Sequence, residues 1–512
     1  MQVEDRQMVS TIMSLGGRPA NSRREIKIID TTLRDGHQSL WATRMRTEHI
    51  LAMADKFDKA GFLHVDLMAP IQFDVSVRYL KEDPWERVRL AHQHAPNTKF
   101  RALVRSRNIA SFDFLPDDVI MKWVERLYAN GFRVIGSFDG LNDIDNIAAG
   151  LRLAKELGAE TFGALSFCES PVHTDELYVR KAKELIEKTD VDSIMLKDAG
   201  GLLTPERVRT LVPAIKEVIG DRQLELHSHC LSGLTTYMYL EAVELGVDAL
   251  HTSIAPLANG AGQPSTQRIV RDLRALGYQV NVDDQLVDAI SEDIHTIAKT
   301  ENKPLGAPLE YDGLHYMHQL PGGMLSNFHS QLATAGLSHR FDELLHETAR
   351  VRAELAYPIM ITPFAQFVGT QAVMNVISGE RYSVVPNEIK KYALGYYGKL
   401  LTDIDPDVLK LILENGSSDI SETPTEIPPA LPDLQERYPN DSIDDLLLRA
   451  MFAGTQVDEM RRAIKNGERS EDAAGSLVSL VKSLSAKRDT GKITVKLNGL
   501  EVCIDKGDGK NV

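Results

Sequence analysis

Two histidines one residue apart close an apolar stretch, Leu224-Glu225-Leu226-His227-Ser228-His229. On an extended chain residues i and i+2 face the same way, so both imidazoles would point to one side. About thirty residues upstream stands Ser193-Ile194-Met195-Leu196-Lys197-Asp198, and near the start stands Ile28-Ile29-Asp30-Thr31-Thr32-Leu33-Arg34-Asp35. Two imidazoles and a carboxylate at one place make a divalent-metal site, and an open coordination position there would polarise a substrate carbonyl. Lys197 is a poor neighbour for a dication while protonated. It fits if its pKa is depressed or if CO₂ converts it to an anionic carbamate. Nitrogen and oxygen donors of this kind suit Zn²⁺, Co²⁺ or Mn²⁺ better than Ca²⁺. A lone His-x-His is more often structural; its placement beside the other two groups carries the metal reading.

Each of these groups follows a short β-prone run. Residues 24–280 alternate such runs with amphipathic helical patterns. The expected strands are Glu25–Leu33, Phe62–Met68, Phe100–Val104, Phe132–Ile135, Thr161–Phe167, Ser193–Leu196, Gln223–Leu226 and Ala249–Thr252. Glycines at 61, 131, 158 and 246 suit the left-handed ends of the intervening helices. Eight units in about 250 residues fit a closed (β/α)8 (TIM) barrel, whose chemistry sits at the carboxyl ends of the strands. An open doubly wound sheet is the alternative, but no Gly-x-Gly-x-x-Gly follows the first strand. Asp35, Lys197, His227 and His229 would then lie at the ends of strands one, six and seven.

The rest of the chain reads as an α/β barrel's helical companion. Residues 1–23 form an N-terminal arm and 281–420 a mostly helical domain completing the site. Residues 421–437, with Pro424, Pro428, Pro429 and Pro432, read as an extended linker. Residues 438–512 hold short helices and a hairpin about Leu497-Asn498-Gly499.

The 512 residues carry a net charge of −15, which argues against nucleic acid or an anionic membrane as partner. No apolar run approaches the ~18 residues of a membrane span, and residues 1–20 show no secretory pattern. Three separated cysteines, Cys168, Cys230 and Cys503, point to a reducing compartment such as the cytoplasm rather than to disulfides. Cys168 and Cys230 read as buried filler sooner than as catalytic thiols.

Leu33-Arg34-Asp35-Gly36-His37-Gln38-Ser39-Leu40 with Ala42-Thr43-Arg44, Glu82-Asp83-Pro84-Trp85-Glu86-Arg87, Leu320–Asn327 and Phe367-Val368-Gly369-Thr370-Gln371-Ala372-Val373 resemble the carboxyltransferase component of biotin-dependent enzymes. Its members include pyruvate carboxylase, the oxaloacetate decarboxylase α subunit and transcarboxylase. The resemblance runs from about residue 25 onward. It implies carboxyl transfer between carboxybiotin and a 2-oxo acid such as pyruvate or oxaloacetate, through a metal-stabilised enolate. It implies Asp35, His227 and His229 as metal ligands, with Lys197 as a carbamylated fourth. Arg34, Gln38, Arg105 and Thr362 become the catalytic set, with Arg105 and Thr362 also facing biotin. Without the resemblance, Arg105 could be a solvated charge and Thr362 a helix N-cap. His37 is treated as structural or supporting. No Met-Lys-Met occurs, so the resemblance implies biotin on a separate carrier protein, a biotin carboxylase partner and a homodimer. Residues beyond 437 could dock the carrier or be a structural tail.

Several positions depart from the family pattern. Gly36 stands where alanine is usual. The usual Gly-Gly-Ala-Thr-Phe-Asp reads Ala69-Pro70-Ile71-Gln72-Phe73-Asp74. Phe112 replaces a tyrosine, Phe364-Ala365 replaces a serine pair, and a family arginine falls near Gly136 or Ser137. Lost hydroxyls favour a biotin-independent lyase, aldolase or decarboxylase on the same barrel; Thr362, Gln38 and the helical region favour the carboxyltransferase. A third reading, a scaffold subunit, gives no reason for metal ligands at a barrel mouth.

Overall fold

In the computed structural model, described residues run from Arg24 to Glu468, without 322–323, 325–327, 329–331, 333–335 and 453, and include the strands Lys492–Leu497 and Leu500–Asp505. The N-terminal arm, part of Leu320–Asn327 and most of the chain after 468 lie outside them.

Eight parallel strands close on themselves in chain order. They are β1 (Lys27–Asp30), β2 (His64–Met68), β3 (Phe100–Arg105), β4 (Val134–Phe138), β5 (Glu160–Ser166), β6 (Ser193–Asp198), β7 (Gln223–Ser228) and β8 (Ala249–Thr252). β1 pairs with β8 from Lys27↔Ala249 to Asp30↔Thr252, which shuts the barrel. Nearly every strand residue is buried, because helices cover the outside and side chains fill the inside. The barrel expected from the sequence is therefore present with all eight strands.

The first strand is shorter than expected: it stops at Asp30, not Leu33, and Asp35 follows it in a turn. The Asp30 carboxyl group accepts from Thr32 N at 2.9 Å and Thr32 Oγ1 at 2.8 Å. That side-chain turn takes the chain out of the sheet, and Thr32–Gly36 forms a wide helical turn. Asp35 is thereby swung over the barrel end. Gly36 is needed in this turn: a Cβ there would stand 2.9 Å from the Leu257 carbonyl oxygen and 3.1 Å from Ser253 Oγ.

The Glu82–Arg87 motif builds structure. Asp83 caps the helix Pro84–His94 by accepting from Trp85 N at 2.9 Å. Trp85 packs edge-on to Phe73, centroids 4.8 Å apart, and lies 4.9 Å from Trp123. Its indole donates to the Asp444 carbonyl at 3.2 Å, so the helix Ile443–Met451 folds back on the barrel flank.

The helical region has its own core, from Leu320 to Ile412, joined by Leu141 of the barrel. It sits over the loops that follow β4, β5 and β6. Arg352 donates to Cys168 Sγ at 3.2 Å and to the Glu169 carbonyl at 3.1 Å, Gln319 to the same carbonyl at 2.7 Å, and His315 to the Gly200 carbonyl at 2.6 Å. After β4 a Cβ at Gly140 would stand 2.5 Å from the Phe364 ring. The Ile361-Thr362-Pro363 segment is thus held at the carboxyl end of the barrel.

The proline-rich stretch is extended only to Ala430. Leu431–Arg437 is helical, a correction to the 421–437 linker, because Asp118 accepts from Ala430 N and Leu431 N and Pro432 suits a first helical turn. The two final strands pair antiparallel with Leu500 opposite Leu497, which is the expected hairpin.

Candidate metal centre and active site

β6 and β7 run in register with Lys197 opposite His227. His227 points into the barrel from β7, and His229 follows one residue past its end. Asp35 meets both from the turn after β1: its Oδ2 lies 3.1 Å from His227 Nε2 and 3.3 Å from His229 Nε2. One ligand atom from each of the three can be chosen with all within 4.8 Å of one another. Ligands about 2.0–2.2 Å from one ion stand roughly 3 Å from each other, so these separations suit a shared cation. The alternation along β7 that suggested inward-facing imidazoles holds.

The donor count also fits a cation. His229 Nδ1 donates to the Ala261 carbonyl at 2.6 Å, which leaves Nε2 with a lone pair aimed at a carboxylate. Arg34 Nη1 meets Asp35 Oδ2 at 3.0 Å, and Gln263 brings protons among these acceptors. Its Nε2 lies 3.1 Å from Asp35 Oδ2, 3.4 Å from His227 Nε2 and 3.2 Å from His229 Nε2. Gln263 is held by Thr31 Oγ1, 2.9 Å from its Oε1. Sequence reasoning missed it, because it lies in the loop between β8 and the helix Thr266–Ala275.

Asp35 belongs to a closed ring of buried side chains. Arg34 Nη1 is 3.0 Å from Asp35, and Arg34 Nη2 is 2.8 Å from Asp66. Asp66 is 3.3 Å from Arg101 Nε, and Arg101 Nη1 is 2.9 Å from Glu225. Glu225 is 3.0 Å from His251 Nε2, and His251 Nδ1 is 3.2 Å from His227 Nδ1. With neutral imidazoles, three carboxylates face two guanidiniums and leave one net negative charge beneath the mouth. Asp66, Arg101, Glu225 and His251 were also missed. Their signal was a charged or imidazole side chain inside an otherwise apolar strand.

The protonation states follow from these neighbours. Burial raises the Asp35 carboxyl, but Arg34, His229 and His227 outweigh it and hold it well below the usual range. Burial, reinforced by Lys197, holds His227 well below the usual imidazole value, so it is a neutral imidazole. Burial lowers Lys197 from 10.5 to about 8 against the pull of Asp35. Its amine is buried with Nζ 5.5 Å from the centre of the Phe138 ring.

The remaining predicted residues lie on elements at the carboxyl end of the barrel. Arg105 ends β3, donates from Nη2 to the Ser111 carbonyl at 2.7 Å and keeps a buried Nε without a partner. It is largely withdrawn from solvent, not a solvated charge, and burial lowers it from 12.5 to about 10. Gln38 follows the Asp35 turn, and Gln72 Nε2 reaches its Oε1 at 3.4 Å while also donating to the Arg34 carbonyl at 3.1 Å. Thr362 is not a helix cap: Pro363 holds that position, and Thr362 Oγ1 accepts from Gln366 at 3.0 Å. Its hydroxyl proton is left to donate elsewhere.

His37 is structural, with Nε2 on the Leu33 carbonyl at 2.9 Å and burial holding it down at about 3. Cys168 and Cys230 are buried and pushed up to about 12, which makes them inert filler. Phe112 is half exposed and meets Phe367 edge-on at 6.0 Å. Ala365 is fully buried in the helical core. A Cβ at Gly136 would stand 2.2 Å from Phe162, whose ring lies 3.7 Å beneath the Arg101 guanidinium.

Comparison with known proteins decides the family. Residues 316–502 match the conserved carboxylase domain, and 139–294 match the HMGL-like family. A pyruvate carboxylase subunit of Methanocaldococcus jannaschii is 40% identical over 447 residues, covering 86% of this chain and 78% of that protein. The chain belongs to the carboxyltransferase family of biotin-dependent carboxylases. Within that family, the methylmalonyl-CoA carboxyltransferase 5S subunit of Propionibacterium freudenreichii is 35% identical, covering 84% of this chain and 86% of that one. The carboxyl transferase domain of Rhizobium etli pyruvate carboxylase, solved with pyruvate and biocytin, superposes with a TM-score of 0.77 at 25% identity, covering 87% of this chain and 78% of that one. Membership of this carboxyltransferase family makes the chain an enzyme of carboxyl transfer. Among the described residues no helix is long and apolar enough to cross a membrane.

Proposed function

We propose that this chain moves a carboxyl group between carboxybiotin, borne on a separate carrier protein, and a 2-oxo acid of the pyruvate or oxaloacetate type. The convergence of Asp35, His227 and His229 at the barrel mouth carries the reading. Asp35, His227 and His229 would hold a divalent ion, Zn²⁺, Co²⁺ or Mn²⁺, with Lys197 as a carbamate completing the set. The depressed lysine favours this, since more of it is free amine near neutral pH and able to take up CO₂. When bound, the ion would polarise the ketone oxygen and acidify the adjacent methyl group.

The side chains do the rest. Arg105 offers its unpartnered Nε edge to the substrate carboxylate by charge-assisted hydrogen bonds. Gln38, steadied by Gln72, orients the ketone. Arg34 is held by Asp66 and keeps Asp35 ionised. In the carboxylating direction the Thr362 hydroxyl gives its proton to the biotin nitrogen as the bond between that nitrogen and CO₂ breaks, and takes up the proton that leaves the methyl carbon. The enolate carbon then forms the new carbon–carbon bond to that CO₂. Arg105 stabilises the negative charge that develops, as the ion would when bound.

Relatives named as a pyruvate carboxylase subunit and a carboxyltransferase subunit support a multi-subunit assembly. A biotin carrier and a biotin carboxylase are the proposed partners, and a homodimer the proposed state. Phe112 favours a second reading, a biotin-independent oxo-acid lyase, because a ring without a hydroxyl stands beside Phe367. Oxaloacetate decarboxylation by the metal-loaded chain, with and without free biotin, separates the two. Stimulation by biotin is expected. Turnover indifferent to biotin would overturn the carboxyltransferase reading in favour of the lyase.

A further inference from the structure

The lower half of the buried ring has a fixed donor order. Glu225 is acceptor-only. Its Oε1 takes the Ser193 hydroxyl at 2.6 Å, and its Oε2 takes Arg101 Nη1 at 2.9 Å. His251 Nε2, 3.0 Å from that same oxygen, must therefore be the protonated nitrogen. Arg101 Nη1 also comes within 3.5 Å of His251 Nε2, but its shorter bond goes to Glu225. With one ring proton spent on Glu225, His251 Nδ1 carries a lone pair. His227 Nδ1, 3.2 Å away, must then be the donor, and His227 Nε2 is left with a lone pair facing Asp35 and His229. The rings of His227 and His251 meet nearly perpendicular, at 82°.

We propose that His251, oriented by Glu225 and Arg101, is a positioning residue that fixes the tautomer and ring orientation of His227 as a metal ligand. The inference rests on the metal reading of Asp35, His227 and His229. His229 reaches the same state by a different route, through the Ala261 carbonyl. The two ligands are therefore fixed independently, one by backbone and one by a three-residue side-chain relay across β8, β7 and β3. All three relay residues are buried, so water does not substitute for a missing member. Removing an outer partner of a ligating histidine typically weakens metal binding ~10–100-fold.

Two substitutions separate the relay from simple packing. In His251→Asn the side-chain oxygen falls near the former Nδ1 and can still accept from His227. In His251→Gln the polar group extends toward Glu225 and abandons His227. Metal-free full-length protein and both variants are titrated with Co²⁺, and binding is read from the visible ligand-field bands, with circular dichroism to verify the fold. His251→Gln is expected to bind ~10–100-fold more weakly with altered bands, and His251→Asn to stay close to the unsubstituted protein. Equal affinity and bands in His251→Gln, or equal losses in both variants, would overturn the relay. Failure of the unsubstituted chain to bind Co²⁺ would instead overturn the metal reading on which it rests.

Discussion

Arg105→Met separates a substrate-binding arginine from a fold-supporting one by moving stability and catalysis in opposite directions. The guanidinium is mostly buried, and its pKa falls from 12.5 to about 10 through desolvation. That depression corresponds to roughly 3 kcal/mol of unfavourable burial in the empty protein. Methionine removes it at similar volume. The loss is the 2.7 Å hydrogen bond to the Ser111 carbonyl, worth about 1.5–3 kcal/mol for a charged donor. The unliganded variant should therefore be as stable as its parent or more so, by up to about 1.5 kcal/mol. For a barrel of this size that raises the thermal midpoint by up to a few degrees, at ~2–4 °C per kcal/mol. Catalysis should fall: two hydrogen bonds from a charged donor to the substrate carboxylate are worth about 1.5–3 kcal/mol each. A drop in kcat/KM for the oxo acid of at least ~100-fold follows. Calorimetry and steady-state kinetics on one preparation give both numbers. A variant less stable than its parent with unchanged KM would refute the reasoning and make Arg105 part of the fold.

Gly36→Ala should cost about 1–3 kcal/mol, since the new methyl presses on the Leu257 carbonyl. Because Gly36 adjoins Asp35, metal affinity should fall with stability, read by denaturation and metal titration; unchanged values in both would contradict the packing described. Asp30→Asn tests a pH effect. Burial raises Asp30 from 3.8 to about 8, so between those values the folded chain holds a proton that the unfolded chain has released. The contribution of Asp30 to stability is present at low pH and lost as pH rises through that window. The stability difference between Asp30→Asn and its parent should therefore move in favour of the variant from about pH 5 to pH 8. Urea unfolding at several pH values measures it, and a flat difference would count against a protonated Asp30.

Much of the fold was legible because barrel strands buried on both faces are short apolar runs, and their helices end at glycines such as Gly61 and Gly246. The Asp35–His227–His229 trio was legible because its two histidines stand two residues apart at the end of β7. Asp35 was found for its neighbours, but the strand before it was drawn as far as Leu33, since a side-chain turn at Asp30 leaves no mark in hydrophobic periodicity. The ring members Asp66, Arg101, Glu225 and His251 were illegible for another reason. Each member sits alone in a different strand, and only closure of the barrel brings them within hydrogen-bond reach. Gln263 belongs to a loop with no period at all. The helix Leu431–Arg437 was hidden by its proline, which is a breaker inside a helix and a starter at its first turn.

The central claim is that a cation held by Asp35, His227 and His229 acidifies the carbon next to a ketone. Solvent exchange reports this without the full reaction: pyruvate in D₂O with free biotin, its methyl signal followed by proton NMR in the presence of the chain. The account predicts methyl exchange with metal-loaded protein, loss of exchange after chelation or in Asp35→Asn, and recovery when metal is returned to the chelated protein. Equal exchange by metal-free protein, or none by a fully loaded one, would contradict it.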